Sequence, residues 1–207
     1  MEARPWGDAP DLPVVIKGAS RDDLPELFRR RGYRTGAEIG VYHGDYSEQL
    51  CRGIPGLQLT CVDSWVTRQG QNPHFKGGQP FPPDLPEAYA HTRERLAPYA
   101  VTYLRMWSAD AARYVPNASL DFVYLDATHW FENVVADLAL WVPKVRVGGI
   151  VAGHDYEDRF YADNRVSVAV QGWTKSYGIS PWFVLGRHRV RPGEVRDKER
   201  SFLWVTT

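Results

Sequence analysis

The residues with the most chemical potential lie in two stretches of the second half of the chain. Asp121 to His129 (DFVYLDATH) ends one apolar run, and Gly148 to Tyr156 (GGIVAGHDY) ends the next. Each run has the length and side-chain type of a buried strand, so Asp126, His129, His154 and Asp155 fall at two strand ends. Neighbouring parallel strands deliver their C-terminal residues to one crevice, where open α/β sheets bind ligands. Imidazoles and carboxylates gathered there can take a proton from a hydroxyl, with His129 or His154 as the base. They can instead serve a divalent cation, which lowers the pKa of a bound hydroxyl. Magnesium prefers oxygen ligands, and an imidazole in the set suits manganese or iron better. The residues by themselves leave both routes open, beside a structural one in which His154 bonds a loop and Asp155 is a cap.

Three earlier motifs bear on a ligand. Ala37 to Gly44 (AEIGVYHG) reads as a strand entering a turn and then a helix. Glycine there admits a ligand close to the backbone, and the helix N-terminus offers free N–H groups to an anion. Gly40 and Gly44 lack the middle glycine of a dinucleotide fingerprint, so a smaller anion such as an amino-acid carboxylate fits better than a pyrophosphate. Asp63 ends the following strand, where an acid can hold the two hydroxyls of a ribose. Asp63 or Ser64 can equally cap a turn. Met106 to Asp110 (MWSAD) borders the place an adenine would take, with Ser108 able to reach a base nitrogen and Trp107 able to stack. Ser108 as an N-cap and Trp107 as core are the plain alternatives.

These motifs need a frame. A helix starts at the Ser20 cap, with Asp22 and Asp23 near its positive end, and stops at Gly32. Strands are expected over Gly36–Tyr42, Leu57–Val62, Val101–Met106, Leu120–Leu125 and Ile150–Gly153, with Gly148-Gly149 a turn. Helices are expected over Asp45–Arg52, Glu87–Leu96, Ala109–Tyr114, Phe131–Val142 and Asn164–Tyr177. Trp182–Leu185 and Ser201–Val205 are two last strands without a helix between them, which makes them antiparallel neighbours. The alternation implies an α/β fold: a mostly parallel sheet with helices on both faces and an antiparallel end. Residues 1–19 read as an N-terminal arm. Residues 67–86 carry Gly70, Gly77, Gly78 and five prolines and read as a long lid-like loop.

Composition narrows the function classes. The chain has 207 residues, 25 Lys plus Arg and 25 Asp plus Glu, so its formal charge is zero. That balance speaks against a general nucleic-acid or membrane-surface binder, although Arg187–Arg191 (RHRVR) is locally basic. No apolar run approaches the about 18 residues of a membrane span, and no secretory leader opens the chain, so a cytoplasmic protein is expected. Cys51 and Cys61 form no disulfide framework and read as buried thiols. A homo-oligomer is left open.

Taken together, AEIGVYHGDYS, LTCVDSW, the stretch Leu120–Tyr156 and the antiparallel end resemble class I S-adenosylmethionine-dependent methyltransferases. The likeness is greatest to the methyltransferase domain 24 family of small O-methyltransferases, and it spans roughly Thr35 to Val205 in architecture. The resemblance implies a Rossmann-like single domain with a seven-stranded sheet whose last strand is antiparallel. It implies S-adenosylmethionine as cofactor and a small-molecule acceptor, of secondary-metabolite or sugar type. Gly40 and Gly44 would border the methionine portion, Glu38 its amino group, Asp63 with Ser64 the ribose, and Ser108 with Ala109 the adenine. The acceptor would enter beside Asp126 and His154, and the positions through which some relatives bind magnesium hold Asp126, His154 and Asp155 here. Three competing readings remain: a nicotinamide-dependent oxidoreductase on a related sheet, a module that binds the nucleoside without catalysis, and a methyltransferase whose acceptor is a macromolecule.

Overall fold

The computed structural model describes residues 13–66, 85–157, 164–187, 192–195 and 199–207. Most of the lid-like loop, the aromatic stretch after Tyr156 and most of the basic run Arg187–Arg191 fall outside those residues. In chain order the elements are β1 (Val14–Ile16), a 3-10 turn (Arg21–Asp23), α1 (Leu24–Arg30), β2 (Thr35–Ile39), α2 (Asp45–Gly53) and β3 (Gln58–Asp63). Then come α3 (Leu85–Arg95), β4 (Ala100–Arg105), α4 (Ser108–Ala111), β5 (Leu120–Leu125) and α5 (Phe131–Trp141). β6 (Val145–Gly153), α6 (Val166–Ser176), β7 (Phe183–Leu185) and β8 (Phe202–Val205) complete the described chain.

The strands form one sheet in the order β1-β7-β8-β6-β5-β2-β3-β4. β8 runs antiparallel to both β6 and β7, and the other pairings are parallel. The expected α/β architecture is therefore present, with eight strands rather than seven. The extra strand is β1, inside the expected arm. It is three residues long and pairs Val14–Ile16 with Phe183–Leu185 at the sheet edge, which a proline-bearing stretch without periodicity does not announce.

Helices cover both faces because strand residues alternate sides. One face packs Val134, Leu138 and Trp141 of α5, with Val166 and Val170 of α6, on Val123 and Val151. The other packs Leu24, Phe28, Tyr46, Leu50 and Ala88 on Phe122, Tyr124, Ile150 and Ala152. The 3-10 turn that leads into α1 opens on a capping box: the Ser20 hydroxyl accepts from the Asp22 N–H at 3.3 Å, and Asp23 accepts from the Ser20 N–H at 2.9 Å.

Two local expectations are corrected. Gly148-Gly149 lies inside β6 rather than in a turn before it. The register jumps from Leu120↔Val145 to Phe122↔Ile150, so β6 carries a bulge there, and Gly148 has a φ of 75° that glycine tolerates. β2 stops at Ile39, because Gly40 turns the chain with a φ of 89°.

Candidate functional site

β2, β3, β5 and β6 end side by side, and their last residues set the site. The β2 turn approaches β5 very closely. A Cβ on Gly40 would lie 2.1 Å from the Asp126 carbonyl oxygen and 2.6 Å from the Ala127 Cα. Glycine is thus required at position 40 both by its φ and by the backbone of the neighbouring strand end. Gly44 caps α2 with a φ of 77°, and its Cα faces Thr92 of α3, whose methyl would stand 3.0 Å from an added Cβ.

Asp63 holds this turn together. Its Oδ2 accepts from the backbone N–H groups of Val41 at 2.9 Å and Tyr42 at 3.0 Å, and its Oδ1 from the Trp65 N–H at 2.8 Å. The Tyr42 carbonyl in turn accepts from the Trp65 indole at 2.8 Å and the Thr92 hydroxyl at 2.7 Å. Tyr42 itself has a φ of 52°, a left-handed conformation that these bonds stabilise. A carboxylate offers about four acceptor positions, so Asp63 retains roughly one for a ligand. Ser64, expected near the same ligand, accepts from the Val66 N–H at 3.4 Å in a local turn.

Glu38 points into the core rather than the crevice. It is 2% exposed and accepts from the Ser47 hydroxyl, and burial pushes its carboxyl well above the usual range. Ser108 is likewise committed. Its hydroxyl donates to Asp137 and accepts from the Trp141 indole at 2.8 Å. Trp107, not Ser108, occupies the N-cap position of α4. Ala109 is exposed at the start of that helix. Asp137 is a functional candidate that sequence reasoning missed. Burial raises its carboxyl to about 6. The signal was available: Val134, Asp137, Leu138 and Trp141 share one helical face, and an acid on an apolar face calls for a reason.

The β5 and β6 ends bring Asp126, His129, His154 and Asp155 together, as expected. Asp155 Oδ2 stands 3.0 Å from His129 Nε2 and 3.3 Å from His154 Nδ1. Asp155 has a φ of 56°, and its carbonyl accepts from the Asn164 amide at 3.0 Å. Despite burial, the two imidazoles hold its carboxyl well below the usual range. Burial favours the neutral form of both histidines, but Asp155 and Asp126 outweigh it and raise both above the ordinary value. The two rings differ in access: the His129 side chain is 40% exposed and that of His154 8%.

Asp126 stands between an imidazole and a guanidinium. Its Oδ1 is 3.8 Å from His154 Nδ1, and its Oδ2 is 3.7 Å from Arg21 Nη1. Among the described residues no hydrogen bond reaches its carboxylate. Burial, opposed by His154 and Arg21, raises it to about 6. Asp126, His154 and Asp155 each present a ligand atom within 4.8 Å of the others. The recess lined by Asp126, His129, Asp137, His154 and Asp155 holds about 20 Å³, enough for one water or ion. Arg21 is the second residue that sequence reasoning missed. A cation in the first turn of a helix is disfavoured by the dipole, and that anomaly was its only trace.

Comparison with known proteins places this geometry. A model of a methyltransferase-domain family matches residues 37–156, from the strand before the glycine turn to Tyr156. An uncharacterised protein of Sinorhizobium fredii, y4gI, is 25% identical over 134 residues. Those residues are 64% of this chain and 14% of that protein, so the chain spans about a seventh of its relative's length. Among solved structures, an O-methyltransferase from Bacillus cereus in complex with SAH superposes with a TM-score of 0.60 at 16% identity, covering 90% of this chain and 80% of that one. The O-methyltransferase TomG from Streptomyces achromogenes, in complex with SAM, gives 0.62 at 18% identity, covering 90% and 79%. The structural likeness establishes a shared fold, and the family match covers more than half of the sequence, including every strand end described above. The chain belongs to this methyltransferase-domain family.

Proposed function

We propose that the chain is an S-adenosylmethionine-dependent O-methyltransferase acting on a small-molecule hydroxyl. The observation that carries the reading is the His129–Asp155–His154 constellation beside Asp126, at the strand ends bordering the glycine turn. The ligands of the Bacillus cereus and Streptomyces achromogenes structures support the choice of cofactor. The residues present fit it: among the described residues no hydrogen bond reaches the Asp126 carboxylate, Asp63 retains an acceptor position, and Ala109 is open at the start of α4.

The cofactor supplies a methyl already activated on a sulfonium, for in-line transfer to oxygen. The chain must then align the acceptor and take its proton. Alignment alone can contribute about 7–11 kcal/mol. His129 is placed for the proton: with Nε2–H donating to Asp155, Nδ1 is left as the basic nitrogen of a side chain that is 40% exposed. Asp155 fixes that tautomer and stabilises the imidazolium once formed. His154, largely buried, keeps Asp155 ionised and in place. Asp126, His154 and Asp155 would also hold a divalent cation of the manganese or iron kind, which would supply Lewis-acid activation of the hydroxyl there.

The test is methyl transfer from labelled S-adenosylmethionine to a panel of phenols, catechols and sugars, with products identified by mass. An O-methyl ether is expected, with turnover reduced about 10²- to 10⁴-fold in His129→Asn. Methyl found on nitrogen, carbon or a macromolecule would contradict the reading. So would cofactor binding without transfer to any acceptor, which would make the chain a binding module.

A further inference from the structure

Arg21 is unused by this chemistry, yet its side chain reaches the centre of the site. Its guanidinium lies over the Tyr46 ring, 5.2 Å from the centroid, and beside the Tyr124 hydroxyl. Its carbonyl accepts from the Tyr46 hydroxyl at 3.1 Å. Tyr46 is in the first turn of α2, directly behind Gly44, so the segment before α1 is fastened to the glycine turn from both ends of Arg21. The guanidinium points at Asp126 Oδ2 but stops at 3.7 Å, beyond hydrogen-bond reach. Two opposite charges are therefore held close together, side by side, with no hydrogen bond between them and none on the Asp126 carboxylate among the described residues.

Such a pair complements a zwitterion. On the reading of an S-adenosylmethionine cofactor, we propose that Arg21 binds the α-carboxylate of its amino-acid end while Asp126 Oδ2 accepts from the α-ammonium. A guanidinium presents a planar fork that matches a carboxylate in a bidentate way. The placement separates two ligands on one carboxylate. Oδ2 and Arg21 face the α2 side, where the glycine turn approaches Asp126. Oδ1 faces His154 and the recess on the α5 side, where the hydroxyl is to be deprotonated. An anionic acceptor is the rival occupant of Arg21. It is disfavoured because Tyr46 and Tyr124, not His129, flank the guanidinium.

The test is calorimetric binding of three nucleosides to the full chain: S-adenosylhomocysteine, its decarboxylated analogue, and 5′-methylthioadenosine, which lacks the amino-acid end. Arg21→Gln keeps the stem over Tyr46 and removes the charge. It is expected to weaken S-adenosylhomocysteine roughly 10- to 100-fold, the range of a hydrogen bond to a charged group. Binding of the decarboxylated analogue and of 5′-methylthioadenosine should stay within about 2- to 3-fold, since neither presents a carboxylate. Arg21→Lys should recover part of the loss. Equal losses for all three nucleosides, or wild-type protein that binds the decarboxylated analogue as tightly as S-adenosylhomocysteine, would overturn the assignment alone. Wild-type protein that binds none of them would overturn the cofactor reading and this assignment with it.

Discussion

Removing the Asp63 carboxylate should loosen the fold before it affects any ligand. Asp63→Ala leaves three backbone N–H groups, of Val41, Tyr42 and Trp65, without their acceptor. A hydrogen bond to a charged group is worth about 1.5–3 kcal/mol, and a partly exposed site lets water replace some of that. Relief of the left-handed Tyr42 returns about 1 kcal/mol more. The net loss expected is about 2–4 kcal/mol. Asp63→Asn should cost less, about 1–2 kcal/mol, because its carbonyl can still serve Val41 and Tyr42 while its NH₂ meets the Trp65 N–H. Urea unfolding at fixed slope reads both values from the midpoint. A midpoint for Asp63→Ala that corresponds to less than about 0.5 kcal/mol would refute the account of this turn. Asp63 would then be a ligand residue held by little else.

Five further outcomes follow from particular contacts. Gly40→Ala should destabilise by about 3 kcal/mol or more, since it combines a φ of 89° with a Cβ 2.1 Å from a backbone oxygen; Gly172→Ala, in open space on α6, should stabilise by up to about 1 kcal/mol in the same urea assay. Asp137 has a carboxyl raised to about 6, so its contribution is complete below the ordinary carboxylate range and is lost as pH rises through 6. The difference between wild type and Asp137→Asn, measured by unfolding from pH 4 to 7.5, should therefore shift against wild type by up to about 3 kcal/mol; a flat difference would sink the assignment. Manganese should bind more tightly than magnesium by electron paramagnetic resonance competition, and Asp155→Ala should abolish the preference. Ser108→Ala leaves Asp137 without its hydrogen bond and the Trp141 indole without its acceptor, so it should cost about 1–3 kcal/mol in thermal unfolding.

How far the sequence spoke for itself depended on the range of the interaction. The alternation of apolar runs with amphipathic ones was enough for the sheet, because burial of one face is a local pattern. The hairpin-like end, β7 with β8, followed from the lack of a crossover helix. β1 did not follow, since three residues next to prolines carry no period and depend on Phe183–Leu185 for their partner. At the site, the Asp126, His129, His154 and Asp155 cluster was legible because topology alone takes adjacent strand ends to one crevice. The orientation of a single side chain was not. Glu38 and Ser108 turned toward partners in the core, and Asp63 turned toward the backbone of its own neighbourhood. Arg21 reaches Asp126 only through the folded packing of Tyr46 and Tyr124, which no spacing encodes.

The most direct measurement is calorimetric titration of the purified chain with S-adenosylmethionine and, separately, with NAD. The account predicts saturable binding of S-adenosylmethionine that weakens in Asp126→Ala, and no binding of NAD, for which the Gly40–Gly44 turn lacks the middle glycine. Binding of NAD in preference, or S-adenosylmethionine binding indifferent to Asp126, would contradict it.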